Sequence, residues 1–280
     1  MVSPGGKWPY FSEKDLDFIV ETISPGSSDT ERLKRMVVEH DKFRDAVVGD
    51  QSLFDRVVND EEMFLQVSPA LYFEILLRKA SRELEEATHT VERLGRENVP
   101  VFDTGEVVKL MKRPMIIEYL ASMMASFTRV RSYVVPVRVR KGVRRRVRYN
   151  DMDIDSLVRF ASNAEPLERF GYYKRIADVC LFVSSVFPDH TQRSYGPSAG
   201  AAAKPSARQQ RMRRRIEDYE REGRTFYALA QVHPTARTLD LSNVFAILKE
   251  DFAAARKPLT LIATRFLHAR RQQLFGMASS

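Results

Sequence analysis

Two β-branched runs sit side by side near the middle of a chain whose other punctuation is helical. Arg131-Ser132-Tyr133-Val134-Val135-Pro136-Val137-Arg138-Val139 and Val143-Arg144-Arg145-Arg146-Val147-Arg148-Tyr149 alternate with period two and flank Arg140-Lys141-Gly142. That pattern predicts a β-hairpin over about 131–149. Loop length decides its register. A two-residue Lys141-Gly142 turn sets Val139 opposite Arg144 and Arg140 opposite Val143, which mixes apolar and basic residues on both faces. A three-residue loop, with Gly142 in the left-handed position, sets Val139 opposite Val143, Val135 opposite Val147 and Tyr133 opposite Tyr149. The second register is preferred, because a one-residue slip turns the valines to water. Arg138, Arg144, Arg146 and Arg148 then share a face with Val134 and Pro136, and Arg145 alone interrupts the apolar one.

The same segment concentrates the charge. From Arg129 to Arg148 there are nine Lys/Arg residues and no Asp or Glu, more positive charge than the formal +8 of the whole chain. The preferred register places Arg138 directly opposite Arg144, and like charges across a strand pair destabilise it by up to ~1 kcal/mol. An anionic partner relieves that repulsion, since guanidinium groups match phosphate oxygens with two parallel hydrogen bonds. Two plainer readings stand beside it. Acidic side chains of neighbouring helices can neutralise the face internally, and charge with Pro136 can protect the ribbon's edges from aggregation.

Elsewhere the signals are those of a mainly α protein, a bundle-like array of helices with this one basic hairpin inserted. Ser12 caps a stretch carrying Leu16, Ile19, Val20 and Ile23, and Ser28 with Glu31 forms a capping box for a helix through about Val48. Asp50 opens the next. Ser68-Pro69 starts a long helix from Ala70 to Arg93 that Gly95 ends, and Val99-Pro100-Val101 is a brief extended piece. Asp103 with Glu106 and then Pro114 open two further helices. Asp153 or Asp155 starts the helix of Leu157 and Phe160, and Pro166 begins an apolar helix finishing near Phe187.

Residues 188–206 lose this periodicity and read as a mobile loop or linker. The expected organisation is a helical domain over 1–187 with the hairpin inserted, the linker, and three helices over 207–280, either packed on the first part or separate. The first of these opens on a second basic cluster, Arg208, Arg211, Arg213, Arg214 and Arg215, with Met212, Ile216, Tyr219, Phe226, Tyr227 and Ala230 as its buried stripe. Arg213 can pair with Glu217 and Arg214 with Asp218 at i,i+4. Basic residues at a helix N-terminus oppose its dipole, which points to an external anion. Pro258 is expected to open the final helix and Gly276 to stop it, with Leu259, Ile262, Ala263, Phe266, Leu267 and Leu274 inward.

No catalytic, cofactor or metal motif emerges. Asp151-Met152-Asp153-Ile154-Asp155 begins like a calcium loop but has Ser156 where glycine is needed and Ser162 in place of the final glutamate, so capping explains it better. His40, His89, His190, His233 and His268 make no i,i+4 pair. Cys180, the one cysteine, lies in an apolar run and reads as a buried thiol. Glu74 and Asp178 sit in otherwise apolar helices, each with a cation one turn away, and an ion pair accounts for them better than acid–base chemistry.

The chain is therefore read as a binding protein rather than an enzyme, with no cofactor. At 280 residues and 44% hydrophobic content it can bury a large core, and a pI near 9.6 favours acidic partners. The apolar runs are too short to span a bilayer and the start lacks a signal-peptide core, so a cytoplasmic location is expected. The leading expectation is nucleic-acid or other polyanion binding through Arg129, Arg131, Arg138, Arg140, Lys141, Arg144, Arg145, Arg146 and Arg148, joined by Arg208, Arg211, Arg214 and Arg215. The alternatives are a helical adaptor docking an acidic protein or its own copy, and a hydrolase whose metal is held by carboxylates distant in sequence.

Overall fold

The computed structural model describes residues 11–59, 66–94, 97–129, 132–140, 143–188, 214–267 and 274–275, with 92–94, 97–98, 132–140 and 143–150 described by their backbone alone. The protein is mainly α-helical with the basic hairpin inserted. It divides into two compact units, Met1–Thr128 with Lys257–Ser280, and Arg129–Arg256. The division falls just before the ribbon and between Arg256 and Lys257; residues 189–206 of the expected linker lie outside the described residues.

The first unit holds α1 (Glu13–Ile23), α2 (Thr30–Glu39), α3 (Asp41–Val48), α4 (Gln51–Asn59), α5 (Pro69–Glu86), the strands β1 (Thr90–Leu94) and β2 (Glu97–Val101), α6 (Thr104–Met111) and α7 (Pro114–Phe127). Ser12 caps α1 as expected: its hydroxyl accepts the Asp15 N–H at 3.2 Å while the Asp15 carboxylate accepts the Ser12 N–H at 2.8 Å. Fully buried, that carboxylate also accepts the N–H of Ser68 at 2.7 Å, and Ser68 in turn caps α5 through Leu71. One side chain thereby joins the starts of two helices far apart in sequence. α5 packs on α6 and α7, burying Leu71, Phe73, Leu76, Ile116, Leu120 and Met124.

Three expectations change here. The helix expected to run to Val48 breaks at His40, whose extended backbone ends α2 and opens α3, with Asp29 rather than Ser28 preceding α2. The break turns Arg44 and Asp45 toward α5, where both find ion-pair partners. α5 ends at Glu86, not Arg93, because Thr90 and Val91 pair with Val101 and Pro100 in a second antiparallel ribbon. Gly95 falls between its strands, outside the described residues. Asp103 does not cap α6 with its side chain; it accepts from the Thr90 hydroxyl at 2.5 Å and pairs with buried Lys257 at 3.3 Å.

The second unit begins with β3 (Ser132–Arg140) and β4 (Val143–Asn150), followed by α8 (Ile154–Asn163), a 3-10 turn Pro166–Glu168, α9 (Arg169–Val186), α10 (Ile216–Val232), α11 (Pro234–Thr238) and α12 (Ser242–Glu250); α13 (Phe252–Arg265) starts here and continues into the first unit. α9 packs on α8 and α10, and α10 on α12. Buried Cys180 belongs to this core, and burial pushes its thiol well above the ordinary range. Pro258 does not open α13 but lies within it. The helix starts earlier because Phe252 is buried against Tyr227, ring centroids 6.2 Å apart, and that packing outweighs the hydrogen bond the proline removes.

Gly223 marks the closest approach in this core. A Cβ there would lie 2.3 Å from the Phe252 ring and 3.1 Å from the Cys180 Cβ. Gly223→Ala should therefore destabilise the protein by about 1–3 kcal/mol through overpacking, despite alanine's better helix propensity, as read by urea unfolding.

Candidate nucleic-acid interface

The ribbon follows the preferred register along most of its length. Tyr133 pairs with Tyr149, Val135 with Val147 and Arg138 with Arg144; beyond Arg138 the register shifts, and Arg140 pairs with Val143. Val139 is the extra residue of a β-bulge, so the expected Val139–Val143 pair does not form. Each of the two sequence registers holds over part of the ribbon, and the bulge reconciles them. Strand alternation then places Arg138, Arg144, Arg146 and Arg148 on one face, with Arg140 and Arg145 on the face of Tyr133, Val135, Val147 and Tyr149.

Helices contact helices extensively, whereas among the described elements of the unit no helix packs extensively on β3 or β4. A two-stranded ribbon by itself is marginal in water, and this one carries like charges face to face.

The remaining candidate residues are scattered in role. Arg129 is exposed just before the ribbon. Arg131, Lys141, Arg208 and Arg211 lie outside the described residues. Arg214 is half-buried and tied to Asp155 at 2.6 Å and Glu222 at 2.7 Å, not to Asp218. Burial opposes its charge, but the hydrogen bond to Asp155 and the charge of Glu222 raise its pKa above the ordinary value. Its partners come from α8 and the second turn of α10, which makes it a clamp between helices. Arg215 precedes α10, and its N–H donates to Asp218 at 3.0 Å; that bond, followed by the pairing of Asp218 with Arg221, lowers the Asp218 pKa. The helix start carries its own carboxylate, so the expected dipole conflict is answered internally.

Both carboxylates singled out in apolar helices are engaged. Asp178 accepts from Lys174 at 2.6 Å and from the buried Tyr227 hydroxyl at 2.9 Å. Glu74 receives Nε and Nη2 of Arg44 at 3.1 and 2.6 Å and Nε and Nη2 of Arg78 at 3.2 and 2.8 Å. Arg78 reaches on to Asp45, and the Arg44 guanidinium lies 4.2 Å from the Phe11 ring centroid. Glu118 completes the cluster 3.6 Å from Arg44. Three of these N–H groups converge on Oε1 and one on Oε2, which binds the Glu74 carboxylate to both guanidinium groups. The sequence pointed to Glu74 and Arg78 but missed Arg44 and Glu118; Glu118, set in Met115-Ile116-Ile117-Glu118-Tyr119-Leu120, carries the same signal as Glu74.

The acidic run before α8 is likewise occupied. Asp151 pairs with Arg175 at 2.8 Å, Asp153 caps α8 through Ser156, and Asp155 holds Arg214. His233, nearly buried, contacts the Pro166 carbonyl at 2.9 Å and accepts the Thr235 N–H. Among the described residues no three His, Cys, Asp or Glu side chains are grouped to hold a metal ion, and no helix is long and apolar enough to cross a membrane. Comparison with protein-family models, curated proteins and solved structures found no match.

The buried cluster has a measurable consequence. Burial, opposed by Arg44, pushes Glu118 up from its ordinary 4.5 to about 7. Across that window the folded protein keeps a proton the unfolded chain has released, so the contribution of Glu118 to stability is full at the acid end and is lost as pH rises through 7. Glu118→Gln should flatten that part of the pH–stability curve. Glu74→Gln, which strips the shared carboxylate from two buried guanidinium groups, should instead cost about 3–5 kcal/mol in urea unfolding.

Proposed function

We propose that the protein binds nucleic acid through the basic face of the β3–β4 ribbon. The carrying observation is the register, which gathers Arg138, Arg144, Arg146 and Arg148 on one face and sets the first two opposite each other. Folding gains nothing from that juxtaposition. A phosphate backbone supplies anions to such a face, and guanidinium forks suit phosphate oxygens better than ammonium groups do. Arg129, exposed at the base of the ribbon, extends the surface.

The supporting contrast is with Arg44, Arg78 and Arg214, all of which are tied to carboxylates within their own units. The ribbon has no acid between Arg129 and Arg148, and no helix of its unit packs extensively along it among the described elements. Binding of this kind is dominated by phosphate contacts and counter-ion release. With about five phosphates neutralised, the logarithm of the affinity for duplex DNA should fall against log salt with a slope of about −4 to −5.

Reversing Arg138, Arg144, Arg146 and Arg148 to Glu should abolish binding to labelled DNA and RNA while leaving the helical circular dichroism intact. A charge-matched control, Lys14, Arg32, Arg35 and Lys42 to Glu on exposed sites of α1 to α3, should retain most of it. Unchanged binding by the ribbon variant, or equal loss in the control, overturns the proposal. Co-purification of an acidic protein in place of nucleic acid does so in favour of an adaptor.

A further inference from the structure

Resting on that reading, we infer that β4 is a single phosphate track: it follows the sugar–phosphate backbone of one nucleic-acid strand and does not read base sequence. The juxtaposition that carries this is asymmetric. Arg144, Arg146 and Arg148 occupy successive same-face positions of β4, whereas the β3 residues paired with the last two are Pro136 and Val134. Only at Arg138 opposite Arg144 do both strands contribute a cation. The charge therefore runs along one strand of the ribbon rather than across both.

The spacing of that track fits its ligand. Same-face positions in a strand recur every two residues, about 6.8 Å apart, so Arg144 to Arg148 covers about 14 Å. Two residues of polypeptide and one nucleotide of a nucleic-acid strand each advance by six backbone bonds of similar length. One arginine thus falls to each successive phosphate, in a form that permits bidentate hydrogen bonding. Arg145 interrupts the run in sequence but not on the face, since alternation puts it with Val147 and Tyr149.

The neighbouring positions argue against groove reading. A ribbon that reads base edges sets donors and acceptors side by side along its contact face, as Asn or Gln amides do toward adenine. Pro136 and Val134, paired with Arg146 and Arg148, offer no side-chain donor or acceptor; Ser132 and Asn150, paired at the open end, are the face's other polar side chains, so amide readout beside the track is confined to that end. A partner with one exposed backbone is sufficient, and a single-stranded oligonucleotide meets the requirement.

The test measures the salt dependence of binding to a fluorescent oligothymidylate by anisotropy. Arg144→Gln, Arg146→Gln and Arg148→Gln should each reduce the magnitude of the slope of log K against log salt by about 0.7, the single-strand value per phosphate. Arg145→Gln, with the same charge change one position away, should leave the slope nearly unaltered. Lysine at 144, 146 and 148 should preserve the slope while weakening affinity, which separates charge from forked geometry. An equal effect of Arg145→Gln, or binding to duplex with none to the single strand, overturns the track while leaving nucleic-acid binding in place. Failure of the unaltered protein to bind any nucleic acid overturns both.

Discussion

Charge in a low-dielectric interior must be answered nearby, and that constraint organises both units. The Glu74 carboxylate gathers Arg44 and Arg78 from two helices, Asp178 is met by Lys174 and Tyr227, Asp103 holds Lys257, and Arg214 is clasped by Asp155 and Glu222. Removing one member of such a set leaves the other charged and buried, so these pairs fix which helices meet more than they add net stability. The ribbon differs in composition. It concentrates cations without an acid in its sequence, and its register brings two of them face to face.

Much of this was legible in the sequence, and the failures have physical causes. Alternating valines and arginines gave the ribbon and most of its register because period two admits few alternatives. The bulge at Val139 is not legible because turn chemistry sets register only next to the turn, and nothing in the alternation marks where an extra residue falls. Local caps served well where the side chain had no competing partner, as at Ser12 and Ser68. They failed at Asp103, which a long-range lysine and threonine claim instead. Pro258 misled because proline's preference for a helix start is worth less than burying Phe252. Arg214 looked like part of a basic patch since its partners lie 59 residues before it and eight after, beyond the one-turn spacing that helical pairing considers.

The two ribbons illustrate how composition separates structure from interaction. β1 and β2 carry Glu92, Arg93 and Glu97, a mixed set, and Thr90 at their base is hydrogen-bonded to Asp103 at the start of α6. β3 and β4 have no acid at all. Similar backbone pairing thus carries two different compositions: one ribbon is tied to the helix that follows it, and the other is basic throughout its sequence.

The discontinuous make-up of the first unit sets the order in which the chain can mature. Its core includes residues that follow the second unit in sequence: Phe266 lies edge-on to Phe54 with centroids 5.3 Å apart, Phe275 stacks on Phe73 at 5.9 Å, and Arg265 pairs with Glu83. During vectorial synthesis those partners leave the ribosome after the whole of the second unit. The second unit, contiguous in sequence, has all its own residues available earlier. The ribbon-bearing half can thus acquire its fold while the half synthesised first still waits, its apolar helices α5 and α7 incompletely covered and exposed to chaperone capture.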